Sequence, residues 1–336
     1  MAVTIKDIAS KANVSIATVS RYLNNPEVVS AKTGKTIQEA IEELDYTPND
    51  IARSLITNNS YTIGLILPDI NNVFYPPILR GIEDIAEQYD YIFFLCNTDQ
   101  NIRREKKYID VLLSKRAAGM IFIGTRPTDD EKNRHIFTLS KKLPVLLLYE
   151  HFEGISSITT DDMLGSYKAV NYLLDLGHRD IAFVSAPPNF STYVRKRRGY
   201  EKAMHEAGIP FRDEYVVYQD AYESGGYQAM CQLLKLKNRP TAVHAVNDQM
   251  AIGVMRAALE NGLKIPEDLS VVGFSNSSIS SQIYPRLTTV NQFGYDVGKM
   301  AAKKIINMIN KKDVDKTMEL IEPELVVRNS CARIGQ

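Results

Sequence analysis

From Tyr61 onward the chain alternates short apolar runs with amphipathic segments, and this rhythm is what most constrains its fold. Seven apolar runs predict β-strands: IGLILPD, YIFFLCN, GMIFIG, PVLLLY, DIAFVSA, TAVHAVN and LSVVGFS. Amphipathic segments predict helices at residues 77–88, 104–115, 163–176, 194–207, 225–236, 249–261 and 297–310. Because strand–helix alternation is typical of parallel sheets covered by helices, we predict an α/β body with doubly wound parallel sheets.

The same rhythm occurs in two halves, residues 61–160 and 161–288, which suggests two similar lobes. Open α/β sheets bind ligands outside the carboxyl ends of their strands. We therefore expect a ligand site between the two lobes.

The N-terminal 46 residues have a different pattern, that of three short helices. Thr4 is a good N-cap for the first helix, with the aspartate three residues on completing a capping box. Asn13 tolerates the left-handed conformation of a tight turn, and Ser15 caps a second helix of about eight residues. A third helix is predicted from about Ser30 to Leu44. Two short helices joined by a tight turn form a helix-turn-helix unit.

The second helix, in the stretch VSIATVSRYLNN, has an apolar stripe and an outer face that needs a partner. The stripe comprises Val19, Tyr22 and Leu23, and the outer face comprises Ile16, Ala17, Ser20 and Arg21. Arginine can pair bidentately with guanine, and small apolar groups can contact thymine methyls. The periodicity alone is equally consistent with a helical cap on a larger enzyme.

The distribution of charge favours the DNA-binding interpretation. The whole chain has forty basic and forty acidic residues, which excludes nucleic-acid binding through bulk positive charge. Residues 1–35 contain five basic and two acidic residues, whereas residues 36–60 contain one and five. Basic residues therefore lie with the turn and the second helix, where DNA phosphates would require them.

A hinge is predicted in DYTPNDIARSLITNNS, between the helical segment and the body. Pro48 suits the start of a helix, residues 49–55 form a short helical run, and ITNNS is typical of a linker. Seven residues make a poor isolated helix in water, so this one should form only when something holds it.

The chain resembles the lactose/galactose repressor (LacI/GalR) family of bacterial transcription regulators. The resemblance lies in TIKDIASKANVSIATVSRYLN, VSAKT, LDYTPNDIARSL, LGHRDIAFVS, AVNDQMAIGVMRAALENG, IPEDLSVVGFSN and PRLTTVNQ. These segments span nearly the whole chain in the family's order. The resemblance also implies that the final helix, at residues 297–310, returns to the first lobe.

The resemblance implies roles in DNA binding for particular residues. Base contacts in the major groove would come from Ile16, Ala17 and Arg21. Contacts near backbone phosphates would come from Thr4, Ser15, Thr18, Ser20, Asn24, Ser30 and Thr33. In the family, the hinge helices of two subunits pair in the minor groove, and a leucine wedges between central base pairs. The matching hinge residues are Asn49, Ala52, Arg53 and the wedge Leu55, whose insertion would kink the duplex at a cost of a few kcal/mol.

The resemblance also implies an effector pocket between the lobes. The matching positions are Asp69, Phe74, Tyr75, Phe190, Thr192, Lys196, Tyr222, Asn247 and Ser275. For each of them, ordinary packing or a solvated loop is the alternative interpretation.

Several residues depart from the family pattern. Asn13 replaces a turn glycine without conformational cost, and Gly34 replaces an arginine, which removes a phosphate contact and weakens the third helix. Ser275 stands where sugar-binding members have aspartate, and Ala221 stands where an aromatic residue often stacks on the ligand. Lys196 without an opposing aspartate would tolerate an anion. We therefore expect a sugar acid, a sugar phosphate or another small polar metabolite rather than a simple neutral hexose.

Other functional classes lack support in the sequence. The phosphate-loop, metalloprotease and hydrolase motifs are missing, and the three cysteines fit no metal-ligand spacing, so we expect no catalysis, no cofactor and no metal. No signal peptide or apolar run of about 18 residues occurs, so we expect a cytoplasmic, nucleoid-associated protein with no membrane contact. The expected partners are pseudo-palindromic operator DNA, the effector and a second copy of the chain. A protein corepressor is not indicated.

The predicted domains are a helix-turn-helix domain at 1–46, a hinge at 47–60 and an effector-binding body at 61–336. Within the body, the first lobe comprises about 61–160 and 290–320, and the second comprises about 161–289 and 321–336. The predicted function is a DNA-binding transcriptional repressor whose operator affinity a bound metabolite controls. The alternative is a periplasmic-type solute-binding protein that does not bind DNA.

Overall fold

The computed structural model describes residues 3–46, 60–312 and 316–335. Contacts divide the chain into two compact units, Met1–Ser60 and Tyr61–Gln336, which are described separately. The three predicted short helices belong to the first unit, and the strand–helix alternation belongs to the second.

The described part of the first unit consists of three α-helices and a short 3₁₀ turn. They are α1 (Ile5–Lys11), α2 (Ile16–Asn24), the 3₁₀ turn (Pro26–Val28) and α3 (Ala31–Glu43). The predicted capping box is present, because Asp7 Oδ2 accepts hydrogen bonds from the Thr4 backbone N (2.8 Å) and hydroxyl (2.7 Å). Asn13 adopts a φ of 53° between α1 and α2, as predicted for the tight turn. The buried core comprises Ile8, Ala9, Ala12, Val19, Ile37 and Ala40.

The described part of the second unit contains two six-stranded sheets, one in each lobe. The first sheet comprises β1 (Thr62–Leu67), β2 (Ile92–Asn97), β3 (Gly119–Ile123), β4 (Val145–Leu148), β5 (Ser156–Thr160) and β11 (Met318–Ile321). The second comprises β6 (Ile181–Ser185), β7 (Val216–Tyr218), β8 (Ala242–Ala245), β9 (Ser270–Ser275), β10 (Thr288–Asn291) and β12 (Glu324–Val326). Their strand orders are β11-β5-β4-β3-β1-β2 and β12-β10-β9-β8-β6-β7. Neighbouring strands are parallel, except that β12 runs antiparallel to β10.

Helices cover the sheets of the second unit. They are α4 (Tyr75–Ala86), α5 (Ile102–Ser114), α6 (Asp130–Leu139), α7 (Asp162–Asp175), α8 (Ser191–Glu206), α9 (Glu223–Leu233), α10 (Asp248–Glu260), α11 (Ser278–Gln282) and α12 (Gly294–Ile309). Short 3₁₀ turns lie at Glu87–Tyr89 and Asp213–Tyr215. Apolar clusters fill the space between helices and sheets in both lobes.

The final long helix, α12, packs against α4 of the first lobe, as the family resemblance implied. Two glycines permit the close approach. A Cβ on Gly81 would lie 2.1 Å from the backbone oxygen of Tyr295, and one on Gly298 would lie 2.2 Å from that of Ile78. Any larger residue at either position would push the two helices apart.

All seven predicted strands and all seven predicted helices of the body are present, but several elements were not predicted. The unpredicted strands are β5, β7, β10, β11 and β12, and the unpredicted helices are α6 and α11. Strand β5 has the sequence SSITT and is completely buried, although its hydroxyls give it no apolar run. Four of the ten residues of α6 are charged, and its buried residues are Asn133, Ile136 and Leu139.

No helix in the described residues is both long enough and apolar enough to cross a membrane.

Candidate nucleic-acid interface and ligand cleft

The second helix of the first unit presents the outer face that the sequence predicted. Val19 is completely buried in the core, whereas Ile16 is 44% exposed and both Ala17 and Arg21 are exposed. Ser15 caps the helix by accepting a hydrogen bond from the Thr18 backbone N at 3.1 Å. An exposed isoleucine and an exposed arginine make the outer side of this helix suitable for apolar and bidentate contacts with bases.

The residues expected near phosphates include the N-caps of all three helices, Thr4, Ser15 and Ser30. At two of these caps the serine hydroxyl forms a hydrogen bond with a threonine hydroxyl: Ser15 with Thr18 at 2.8 Å and Ser30 with Thr33 at 2.9 Å. A helix N-terminus carries a partial positive charge and unpaired backbone N–H groups, so each cap is suited to an anion.

Gly34 has a packing role that its comparison with the family did not suggest. It is buried in α3, and a Cβ at this position would lie 3.0 Å from Tyr22 Cε2. The Tyr22 hydroxyl donates to Gln38 Oε1 of α3 at 3.1 Å. The glycine therefore allows α3 to lie directly against the ring of the second helix.

The remaining DNA-binding predictions lie at the edge of the described residues or beyond them. Ser20 is half-buried on α2. The side chain of Asn24 and the hinge residues Asn49, Ala52, Arg53 and Leu55 lie outside the described residues.

In the second unit, a cavity of about 80 Å³ lies between the two lobes at the carboxyl ends of their strands. This volume is enough for roughly five water molecules. Six of the predicted effector residues line it: Phe74, Tyr75, Thr192, Lys196, Asn247 and Ser275. Further lining residues that were not predicted include Asn72, Thr125, Tyr149, Tyr193, Gln249 and Gln292. The cleft is therefore the place where the predicted pocket residues converge.

The ammonium group of Lys196 is engaged within the protein. Its Nζ donates to the Val246 carbonyl at 3.0 Å, lies 3.7 Å from the centre of the Phe274 ring and lies 3.9 Å from Asp162 Oδ1. Lys196 is 5% exposed, and burial lowers its pKa to about 8. These contacts leave little of its positive charge for an anionic ligand.

Asp248 is a buried carboxylate that lines the cleft. Its Oδ2 accepts from the Ser277 backbone N and hydroxyl, both at 2.7 Å, and its Oδ1 accepts from the Thr289 hydroxyl at 2.5 Å. Burial raises the pKa of Asp248 to about 6. The carboxylate therefore fixes the loop after β9 rather than facing solvent.

Aromatic rings form the first-lobe wall of the cleft. Phe74 lies edge-on to Tyr75 and to Tyr149, with ring centroids 5.3 and 4.8 Å apart. Burial raises the pKa values of Tyr75 and Tyr149, so both hydroxyls stay neutral, and that of Tyr149 donates to the Gln292 carbonyl at 3.4 Å. Neutral hydroxyls on an apolar wall suit a polar ligand that has an apolar face.

The amide oxygen of Gln249 is the clearest polar group that the sequence analysis missed. Gln249 lines the cavity, and its Oε1 is buried without a hydrogen-bond partner among the described residues. A buried acceptor without a partner is costly unless a ligand or water donates to it. Its position two residues after Asn247 was the only signal in the sequence.

Ser275 and its neighbour have unusual backbone conformations. Ser275 has a φ of 119° and Asn276 a φ of 51°, both in the region that favours glycine. Arg328 Nη2 donates to Asn276 Oδ1 at 2.6 Å, and the Asn276 backbone N donates to Thr289 Oγ1 at 3.2 Å. Such strain persists only where surrounding contacts hold it, and it is common at ligand sites.

Three predicted effector residues lie outside the cavity lining. The Tyr222 hydroxyl donates to Asp69 Oδ2 at 3.0 Å, which joins the second lobe to the first. Phe190 forms a short antiparallel bridge with Pro127 of the first lobe. Tyr222 and Asp69 are thus engaged through their side chains and Phe190 through its backbone, in contacts between lobes that the sequence could not distinguish from contacts with a ligand.

A charged cluster also joins the lobes. Arg195 on α8 of the second lobe contacts Glu150 of the first lobe at 3.1 Å and Asp162 at 2.9 Å. Ser191 also donates to Glu150, and the Ser191 backbone N donates to the Arg126 carbonyl at 3.2 Å. Hydrogen bonds from Arg195 and Ser191 to the buried carboxylate of Glu150 therefore join the lobes, while Asp162 holds the guanidinium in place within the second lobe.

No group of histidine, cysteine, aspartate and glutamate residues in the described part of the chain is arranged to hold a metal ion.

Comparison with known proteins identifies two family models and many close relatives. A model described as bacterial regulatory proteins, lacI family, matches residues 4–49, and a periplasmic binding protein-like domain matches residues 170–331. The chain is 40% identical to the HTH-type transcriptional regulator RegA of Clostridium saccharobutylicum, over 98% of this chain and 99% of RegA. It is 39% identical to catabolite control protein A of Priestia megaterium, over 98% and 99% of the two chains.

Solved structures show the same architecture. The lac repressor dimer bound to operator and the anti-inducer ONPF matches with a TM-score of 0.88 and 29% identity, covering 99% of this chain and 100% of that one. A complex of the transcriptional regulator CelR with cellobiose matches with a TM-score of 0.73 and 26% identity, covering 98% and 99%. The similarity therefore includes both the N-terminal helices and the two-lobed body.

Proposed function

The chain belongs to the lacI family of bacterial regulatory proteins, and from this premise we propose that it couples operator binding by α2 to a hydroxyl-rich ligand in the cleft. As a member of this family it is a DNA-binding transcriptional regulator. The alternative of a solute-binding protein without DNA binding is not favoured, because the family's DNA-binding model matches residues 4–49.

We propose that two copies of the chain read a pseudo-palindromic operator. Ile16, Ala17 and Arg21 contact bases, while the N-caps of the three helices lie near phosphates. The exposed face of α2 supports this assignment. The related lac repressor is a dimer on its operator. A two-fold symmetric protein requires a two-fold symmetric site.

We propose that the effector is a neutral or weakly charged sugar rather than a strong anion. The observation that carries this proposal is the unpartnered Gln249 Oε1 in a cavity whose lysine is already engaged. A sugar hydroxyl can donate to this oxygen and place an apolar ring face against Phe74. A related regulator, CelR, is described in complex with cellobiose. The sugar acid or sugar phosphate predicted from the sequence is the competing outcome.

Binding in the cleft changes operator affinity by altering contacts between the lobes, typically by about 5–150-fold. We assign the protein no catalytic role and place it in the cytoplasm, where operator DNA is found. Its relatives are transcriptional regulators, which supports both assignments.

Selection from a randomised DNA duplex library, followed by fluorescence anisotropy, tests operator binding by α2. We expect the full-length protein to enrich a palindromic sequence, and Arg21→Met to weaken its binding by about 5–150-fold. A thermal-shift screen with neutral sugars, sugar acids and sugar phosphates, with and without that operator, tests ligand binding in the cleft. Stabilisation by acids alone would overturn the assignment of a neutral ligand, and failure to enrich any sequence would overturn DNA reading.

A further inference from the structure

A second cavity, which we call the lysine cavity, lies in the first lobe at the edge of the sheet opposite the cleft. It has a volume of about 530 Å³. Its lining residues include Ser140, Lys141, Lys142, Ser156, Lys311 and Lys316. They lie just before β4 and β11, at the start of β5 and after the last residue of α12. The cleft lies at the carboxyl ends of these parallel strands, so the two cavities are at opposite edges of the sheet.

The floor of the lysine cavity contains a buried hydroxyl without a partner. Ser156 is 2% exposed, and its Oγ has no hydrogen-bond partner among the described residues. Side chains alternate along a strand, so Ser156 shares the sheet face of Ile158, which packs in the same apolar cluster as Ile305 of α12. The hydroxyl therefore lies on the α12 side of the sheet, where Met308 and Lys311 line the cavity.

The described residues that line the lysine cavity carry a positive charge. They include four lysines and no acidic residue. Helices α6 and α12 end beside it, and each helix C-terminus contributes about half a negative charge. Together the two ends supply about −1 against the formal +4 of the described lining, so capping of the helix ends does not account for all four of these lysines.

We propose that the lysine cavity binds a small phosphate-bearing anion, as a site separate from the cleft. Lysine ammonium groups recognise phosphate as point charges, and the Ser156 hydroxyl can donate to a phosphate oxygen. Leu143, Val145 and Met308 provide an apolar surface for the rest of the molecule.

Isothermal titration of the full-length protein with a hexose 6-phosphate, and with the unphosphorylated hexose, tests this site. We expect the double substitution Lys142→Gln and Lys311→Gln to raise the Kd of the phosphorylated probe at least about tenfold. The Kd of the neutral hexose should stay unchanged. Lys235→Gln with Lys237→Gln is the matched control, because both of these lysines are exposed and follow the C-terminus of another helix, α9.

Three outcomes would overturn the proposal. The first is a phosphate affinity that does not change in the Lys142/Lys311 variant, or that falls equally in the control variant. The second is loss of phosphate binding in Asn247→Ala, which would place the phosphate in the cleft. The third is weaker operator binding by the Lys142/Lys311 variant in phosphate-free buffer, which would show that these lysines contact DNA. The titration with neutral hexose tests ligand binding in the cleft independently. A negative result at one site therefore does not contradict the proposal for the other site.

Ser156→Ala separates a ligand contact from a structural role. Removing a buried hydroxyl that lacks a partner should leave the free energy of unfolding unchanged or higher. The same substitution should raise the Kd of the phosphorylated probe. An unaltered Kd would show that the hydroxyl does not contact the anion and would overturn the proposed anion site.

Discussion

Arg195 and Glu150 join the two lobes, with the guanidinium Nη1 3.1 Å from the carboxylate Oε1. The same guanidinium contacts Asp162 at 2.9 Å, so one cation balances two carboxylates that are 4% and 3% exposed. Charged groups of this kind hold the lobes in one relative position, and any ligand that moves the lobes must act against these contacts.

Replacing Arg195 with methionine should destabilise the second unit by about 2 kcal/mol. Breaking a fully buried ion pair costs about 3–5 kcal/mol, and the 31% exposure of the Arg195 side chain reduces that cost. Urea unfolding followed by circular dichroism measures the change. The chain contains no tryptophan, so intrinsic indole fluorescence is not an option.

Arg197→Met provides the control for this prediction. Arg197 is the second residue after Arg195 on the same helix and pairs at 2.7 Å with Glu201, whose side chain is 37% exposed, unlike the buried partners of Arg195. Its loss should cost less than about 1 kcal/mol. Equal destabilisation by both substitutions would show that Arg195 acts as an ordinary surface residue.

Lys196→Met should lose stability relative to the wild type as the pH rises. The folded-state pKa of about 8 lies below the ordinary value of 10.5, so between these values the unfolded chain holds more protons than the folded one. Stability of the wild-type protein attributable to this group therefore rises with pH through that window. At pH 7 the buried ammonium is at its most costly.

Urea unfolding of wild type and Lys196→Met at pH 7 and pH 9.5 tests this sign. Between these pH values the free energy of unfolding of the wild type should rise relative to that of the variant, by on the order of 2 kcal/mol. The exposed Lys235→Met should show no such trend. A constant difference between wild type and Lys196→Met would contradict the buried position of the ammonium.

Ser15 offers a way to separate helix capping from contact with DNA. Ser15→Ala removes the hydrogen bond to the Thr18 backbone N and should cost the first unit about 1 kcal/mol. Ser15→Asp restores a good cap and should recover that stability. It also places a negative charge where a phosphate is expected, so operator affinity should fall in fluorescence anisotropy. Wild-type operator binding by Ser15→Asp would refute a phosphate near this cap.

The sequence predicted the elements whose patterns are local and failed where burial depends on distant partners. The faces of α2 and the turn at Asn13 follow from periodicity and backbone preference, and both are present. Strand β5 was missed because its buried hydroxyl residues do not look apolar. Gly34 was interpreted only through a lost phosphate contact, since its proximity to Tyr22 requires knowledge of how α2 and α3 pack.

The cleft shows the same limit. Phe74, Lys196 and Asn247 were located by the family resemblance, and all three line the cavity. The engagement of Lys196 by the Val246 carbonyl was not predictable, because the two residues come from different elements. For this reason the sequence favoured an anionic ligand, whereas the contacts of Lys196 favour a neutral one.

Leu55→Ala tests the hinge, whose role rests on the family resemblance alone. Loss of an apolar wedge should weaken binding to the selected operator, because the kinked duplex would no longer be stabilised. Effector affinity, measured by calorimetry without DNA, should be nearly unchanged. Normal repression by this variant in a reporter strain would contradict the assignment of Leu55 as the wedge.

Gln249→Leu should weaken the binding of a neutral sugar without destabilising the protein. The Oε1 atom has no partner among the described residues, so removing it breaks no hydrogen bond in the folded chain. The ligand hydroxyl that donates to it would instead be left unpaired, which costs about 1–3 kcal/mol, or about 5–150-fold in Kd.

Calorimetry with the sugar that performs best in the thermal-shift screen measures this effect. Gln249→Glu keeps an acceptor at the same place and should retain more of the affinity than Gln249→Leu. Gln232→Leu, at an exposed position on α9, controls for the change of residue type. If Gln249→Leu binds the sugar as tightly as wild type, the unpartnered oxygen does not contact the effector, and the argument for a hydroxyl donor at this position fails.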